Sequence, residues 1–176
     1  MEYDELKSKV VKRKKEFDKF IDFLENKTSW LTTPASRKHH LNEEGGLLKH
    51  SLNVTNTLLK IRPVLAPEIA EESCIIVGLF HDVGKIGSQR EPRYIERDGE
   101  YVKNKNLVEM HIAARSLYLI SQYITLSDEE AQAILYHDGQ YIPENKFIAH
   151  KECPLTLMIQ YADSWAAFVL ENKSFI

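Results

Sequence analysis

Seven residues of this chain place imidazole or carboxylate in largely apolar surroundings: His50, the pair His81-Asp82, His111, the pair His137-Asp138, and Asp163. An ionised Asp at the end of the apolar run 74–80 costs free energy unless it is paired or holds a metal. Imidazole and carboxylate together suit divalent ions, with Fe, Mn, Co, Ni, Zn or Mg admissible on ligand type. Neighbours on a helix point about 100° apart, so a His-Asp pair can still grip one point, each side chain reaching around one flank. Each residue also has a bland reading. A lone His is more often a hydrogen-bonded structural group, an Asp in an apolar helix can pair with Arg, and His-Asp at a helix end can act as a cap. The conjunction favours a shared centre, because separate structural accidents multiply poorly.

The elements that must bring these residues together are mostly helical. Leu6, Val10, Phe17, Phe20, Ile21 and Leu24 predict one amphipathic helix over 2–25, with the basic run Lys12–Lys15 as its solvated face rather than a nucleic-acid contact. Residues 28–46, with Pro34, His39-His40 and Gly45-Gly46, read as an irregular connection. A helix over 47–61 follows, closed by Pro63, and then a buried helix over 67–83 that ends near Gly84. Asp98-Gly99 between aromatic and β-branched residues predicts a small β-hairpin over 93–105. A helix over 107–124 places His111, Arg115 and Tyr118 on one stripe. Ser127 and Glu130 form a capping box that opens a helix to about His137. Residues 141–151 read as a loop, and Pro154 suits the first turn of a last apolar helix to about Leu170 with Asp163 mid-way.

The chain has 176 residues, which suffices for one domain with a sizeable core. Its composition, 43% hydrophobic and 28% charged, excludes disorder as the default. The net charge of −3 gives no global field for nucleic acid. No targeting signal is read at the N-terminus, and no apolar run approaches the roughly 20 residues of a membrane helix. Cys74 and Cys153, without a C-x-x-C pattern, read as reduced core residues of a cytoplasmic protein. Trp30 is left open between core and interface.

The order His50 … His81-Asp82 … Asp163 resembles the HD-domain superfamily of metal-dependent phosphohydrolases. The segments GGLLKHSLNV, GLFHDVGKIG and MIQYADSW carry the resemblance, which spans about 36–169. The hairpin after the HD pair, the segment from His111 to Ser116 and YHDGQY are similar to small HD hydrolases of Firmicutes and their phages. HHLNEEGGLLKH also resembles the HD portion of bacterial 3′–5′ exoribonucleases, but the chain has no room for the OB fold those enzymes add, so nuclease activity is not implied.

The resemblance implies a mainly α fold, an HD-domain helical bundle with a small inserted β-hairpin near 93–105. It implies one HD domain over 1–176, made of an N-terminal helix (1–26) and an HD core (36–169). It assigns His50, His81, Asp82 and Asp163 to a first divalent ion. His111 and His137 match the additional ligands of two-metal members, with Asp138 standing where a second His is expected. Lys85 matches the Lys of the HDxxK motif that faces substrate phosphate, so Asp82 and Lys85 are the expected catalytic residues. Arg115, Arg90, Arg93, His39 and His40 are further candidates for phosphate contacts. The implied activity is hydrolysis of a nucleotide or related phosphate ester or diester by metal-activated water, with one or two ions. A regulatory ligand-binding module with little catalysis, or a di-iron oxygenase, is the alternative.

Overall fold

The structure, a computed structural model, describes residues 1–171. The chain is mainly α-helical with one small antiparallel hairpin, as expected. The N-terminal stretch differs from the single helix its periodicity suggests. It forms α1 (Tyr3–Ser8) and α2 (Lys14–Lys27). The break has a tertiary cause: the amides of Val11 and Lys12 both donate to Glu72 Oε2 at 2.8 Å, and Arg13 Nε donates to Glu72 Oε1 at 2.9 Å. A continuous helix would consume those amides in its own ladder. The basic run is therefore not one solvated face, since Arg13 pairs with Glu72 and Glu130, while Lys14 pairs with Asp18 one turn on.

The irregular stretch ends at Gly45 and Gly46. Gly45 adopts φ +74°, and a Cβ on Gly46 would lie 2.1 Å from the Leu41 carbonyl oxygen, so the chain enters α3 (Gly46–Leu65) through a gap that only glycine fits. This helix continues through Pro63, which the sequence reading took as its stop. Pro63 removes one amide from the ladder, but the helix still closes beyond it, with the Ala66 amide donating to the Arg62 carbonyl. α4 (Glu71–Phe80) is shorter than 67–83 at both ends. Arg62 holds the carbonyls of Pro67 and Ile69, which keeps 67–70 as a turn. Beyond α4 the chain tightens into a 3₁₀ turn, Val83–Ile86.

The hairpin pairs β1 (Tyr94–Arg97) with β2 (Glu100–Lys103). Asp98 and Gly99 both take positive φ, 53° and 78°, as a two-residue primed turn requires. α5 (Ile112–Ser121) begins five residues later than the pattern 107–124 suggests. Arg115 Nη2 donates to the Val108 carbonyl, which folds the preceding segment back along the helix start instead of extending it. α6 (Asp128–Leu135) carries both halves of the expected capping box on Ser127 and Glu130. The stretch 141–151 is not a plain loop, because two short 3₁₀ turns, Gly139–Tyr141 and Pro143–Ile148, precede α7 (Pro154–Trp165). A single π-type turn, Ala166–Leu170, follows α7.

One continuous apolar core runs from Leu6 to Ala166. Phe80, the last residue of α4, lies at its centre, with ring centroids 5.5 Å from Phe17, 4.9 Å from Phe20 and 6.3 Å from Trp30. Trp30 is therefore core, and its indole N–H donates to the Tyr3 hydroxyl at 3.0 Å. Cys74 is buried, whereas Cys153 is only half-buried at the start of α7, and both are free thiols. Among the described residues no helix is long and apolar enough to cross a membrane.

α4 packs on α3 at Gly78, where an added Cβ would sit 2.6 Å from Thr55 Oγ1 and 2.8 Å from Thr55 Cα. Backbone atoms cannot yield as a flexible side chain does, so Gly78→Ala forces the two helices apart. The expected cost is about 1–3 kcal/mol, read as a lower denaturation midpoint with an unchanged denaturant slope.

Candidate metal centre

The close approach at Gly78 brings together the helices that carry His50 and His81. Their ring centroids are 5.4 Å apart, and His81 lies 4.8 Å from the ring of His137. His50 sits in the second turn of α3, and His81 caps the C-terminus of α4. Asp82 follows at the entry to the 3₁₀ turn, His137 lies two residues past α6, and Asp163 is on α7. Five residues from four segments distant in sequence thus converge.

Backbone carbonyls orient two of the imidazoles. His81 Nδ1 is 2.9 Å from the Gly78 carbonyl oxygen and His137 Nδ1 is 2.8 Å from that of Ile134. A hydrogen bond from Nδ1–H fixes the tautomer and leaves Nε2 as the free donor atom. His50 is held in the same sense by a carboxylate that the sequence reading did not single out. Glu171 places its two oxygens 3.1 and 3.0 Å from His50 Nδ1 and accepts from Asn53 Nδ2 at 2.9 Å. Its side chain is only 1% exposed.

The Nε2 atoms of His50 and His81 are buried and have no hydrogen-bond partner among the described residues. His50 Nε2 does lie 3.0 Å from Asp163 Oδ1, but out of line for a hydrogen bond. His81 Nε2 is 3.8 Å from Asp82 Oδ2 and 3.9 Å from Asp163 Oδ1. The donor atoms therefore face a common point more than they face one another. An orphaned buried imidazole nitrogen beside two carboxylates is costly as a packing arrangement and fits a divalent cation. His50, His81 and Asp163 form one such metal-capable group, and His81, Asp82 and His137 form another.

His81 is common to these two groups and Asp82 reaches across both, while His40, His50 and Glu171 form a third. Asp82 Oδ2 lies 3.8 Å from both His50 Nε2 and His81 Nε2 and pairs with Lys85 Nζ, while Oδ1 lies 3.5 Å from His137 Nε2. Burial opposes the charge on this carboxylate, but Lys85 and His137 outweigh it and hold the pKa well below the ordinary value. Burial also opposes ionisation of Asp163, and His50 overcomes it in the same way. His81 moves in the opposite direction: burial pulls it down to about 4, so its ring is neutral. Burial would likewise lower His50 and His137, but Asp163 and Glu171 lift the first to about 9 and Asp82 lifts the second to about 9. Without a cation, protons on these two rings and the Lys85 ammonium balance the carboxylates. A metal must displace the ring protons in order to bind.

The remaining sequence candidates fall into place unequally. Asp138 is half-buried, with Oδ2 3.7 Å from His137 Nε2. His111 is exposed, sits at the N-cap of α5 rather than within it, and is absent from every metal-capable group of the described residues. The late start of α5 is the reason, because the helical stripe that would have aimed this ring inward does not extend to residue 111. His40 is half-buried with Nε2 3.9 Å from Glu171 Oε2, while His39 and Arg90 are exposed. Arg93 and Arg115 lie at the hairpin and at α5, each with buried unpaired donors.

The HD domain family model matches residues 47–167, and the chain belongs to that family. The match runs from the start of α3 to past α7 and so takes in His50, His81-Asp82, His137 and Asp163. HD domains form a superfamily of generally metal-dependent phosphohydrolases that bind divalent ions. No curated protein and no solved structure matches the chain.

Proposed function

We propose that the chain is a single-domain metal-dependent phosphohydrolase acting on a nucleotide or a related phosphate ester or diester. The observation that carries this reading is the convergence of the unpaired Nε2 atoms of His50 and His81 on the carboxylates of Asp82 and Asp163. These four residues would hold a divalent ion of the Fe, Mn, Co, Ni, Zn or Mg type. His137 and Asp138, beside Oδ1 of Asp82, are the donors left for a second ion, with His111 outside the set.

The ion supplies a Lewis acid for a phosphoryl oxygen and lowers the pKa of water in its shell. The chain's own residues do the rest. Lys85 is held cationic: burial opposes its charge, but Asp82 more than compensates and raises its pKa. Its ammonium then offsets charge developing on the phosphoryl oxygens. The ionised Asp82 would hold the ion and orient a water beside it. The two free thiols support a cytoplasmic setting.

The test is a panel of nucleoside phosphates and phosphodiesters offered to chelator-treated protein, with and without Mn²⁺, Co²⁺, Ni²⁺ or Mg²⁺. Metal-dependent release of phosphate or nucleotide is expected. Metal binding without turnover would make the chain a regulatory module, and oxygen consumption with bound iron would make it an oxygenase. Either result overturns the proposal.

Glu171 acts through His50, as carboxylate partners of metal-bound histidines do. Glu171→Gln should keep the shape and lose the charge, weakening metal affinity by roughly 10- to 100-fold, as read by competition with a chromogenic chelator. Unchanged affinity would show that Glu171 serves packing alone.

A further inference from the structure

Beside the metal centre, the same 3₁₀ turn that presents Lys85 is flanked by two guanidiniums that form no ion pair among the described residues. Arg115 is 4% exposed and its Nε is buried without a partner. Arg93 has both Nε and Nη1 buried without a partner. Their backbones are pinned to opposite ends of the turn. A Cβ on Gly84 would lie 3.0 Å from Arg115 Cβ, and the Gly84 amide donates to Ser116 Oγ at 2.8 Å. At the other end the Arg93 amide donates to the Ile86 carbonyl at 3.3 Å. The two charges feel each other: burial first, and then Arg93, lowers the pKa of Arg115.

Bringing two cations together and stripping water from their N–H groups is unfavourable unless an anion completes the arrangement. The carboxylate whose field reaches both, Glu109, is exposed and committed to Lys103 Nζ at 2.6 Å. Within the pair the one neutral acceptor is the Val108 carbonyl, taken by Arg115 Nη2. Three orphaned donors on two guanidiniums are suited to charge-assisted hydrogen bonds with the oxygens of a phosphate group. Asp82 and Gly84 are two residues apart, so at most about 7.6 Å separates their Cα atoms. A ligand spanning the turn can thus touch both the metal centre and the arginines.

We propose that Arg93 and Arg115 form a second anion subsite, separate from the metal centre, that takes a phosphate group other than the one being hydrolysed. The substrate class is then a phosphate ester bearing at least one further phosphoryl group, such as a bisphosphate, a nucleoside diphosphate or a dinucleotide. This assignment of the phosphate to the substrate rests on the phosphohydrolase reading, but the subsite itself does not.

The experiment therefore has a binding arm and a kinetic arm. In the binding arm, inorganic phosphate is titrated into the full metal-free chain by calorimetry. Arg93→Gln and Arg115→Lys are expected to weaken binding by roughly tenfold or more, the loss for one charge-assisted hydrogen bond. Arg93 is only half-buried, so its variant keeps the test open if Arg115→Lys unfolds, and thermal unfolding of each variant is recorded alongside. Phosphate affinity unchanged in Arg93→Gln, with the loss appearing only in Lys85→Ala, overturns the subsite. In the kinetic arm, Arg93→Gln should raise KM for a bisphosphate at least tenfold more than for a simple monoester. A weakened phosphate affinity with equal KM changes for both substrates keeps the subsite and assigns it to free phosphate. Loss of all turnover with intact Arg93-dependent phosphate binding overturns the phosphohydrolase reading and not the subsite.

Discussion

Asp82→Asn should remove metal retention and turnover together. The carboxylate reaches both halves of the centre, with Oδ2 toward His50, His81 and Lys85 and Oδ1 toward His137. The amide keeps the volume and removes the charge that balances Lys85 and a cation. If the ion supplies several kcal/mol of transition-state stabilisation, activity falls by about a thousandfold or more. His81→Ala should match it, since the orphaned Nε2 of that ring has no other function in the structure. Metal content by elemental analysis separates this outcome from a folding defect. The expected variant is folded, metal-poor and inactive, and either substitution leaving full activity contradicts the assignment.

The largest effect on stability is expected at Arg13, far from the chemistry. Its Nη1 and Nη2 grip Glu130 at 2.7 and 2.6 Å, its Nε reaches Glu72 at 2.9 Å, and Glu130 is only 2% exposed. Arg13 latches the break between α1 and α2 onto the starts of α4 and α6. Arg13→Met leaves two carboxylates without their cation, one of them deeply buried, a situation that costs about 3–5 kcal/mol. Chemical denaturation measures that loss, and a change below about 1 kcal/mol would place the network among ordinary surface pairs. The pH dependence follows the same network. Burial would raise the pKa of Glu130, but Arg13 and the Ser127 amide outweigh it and bring it below the ordinary 4.5. A depressed carboxylate contributes stability that is fully present above its unfolded pKa and lost as pH falls through the folded one. Wild type should therefore lose stability below about pH 4.5, and the Arg13→Met variant should lose less over that window because it has less to lose.

What could be read from sequence was what is local or chemically loud. Ser127 and Glu130 sit three apart and make the capping box they announce. Asp98-Gly99 makes the hairpin turn. His50, His81, Asp82 and Asp163 stand out because polar groups in apolar helices need partners, and the fold brings them together. What escaped depends on residues distant in sequence. The break after α1 exists because Glu72, some 60 positions on, takes two amides. The start of α5 is set by Arg115 reaching back to Val108, and that displacement is what leaves His111 outside the centre. Glu171 is, by sequence alone, one acid near the end of the chain. A carboxylate one turn from an apolar helix gives no local sign that a histidine 121 residues away needs its Nδ1 proton held.

The most direct test of the account is anomalous diffraction from crystals of the protein loaded with Mn²⁺ or Co²⁺, collected at the metal edge. An ion is expected within about 2.0–2.2 Å of His50 Nε2, His81 Nε2, Asp82 and Asp163, with any second ion on the His137 side of Asp82. An ion bound elsewhere, or these four side chains closed on one another with no ion between them, would contradict that assignment.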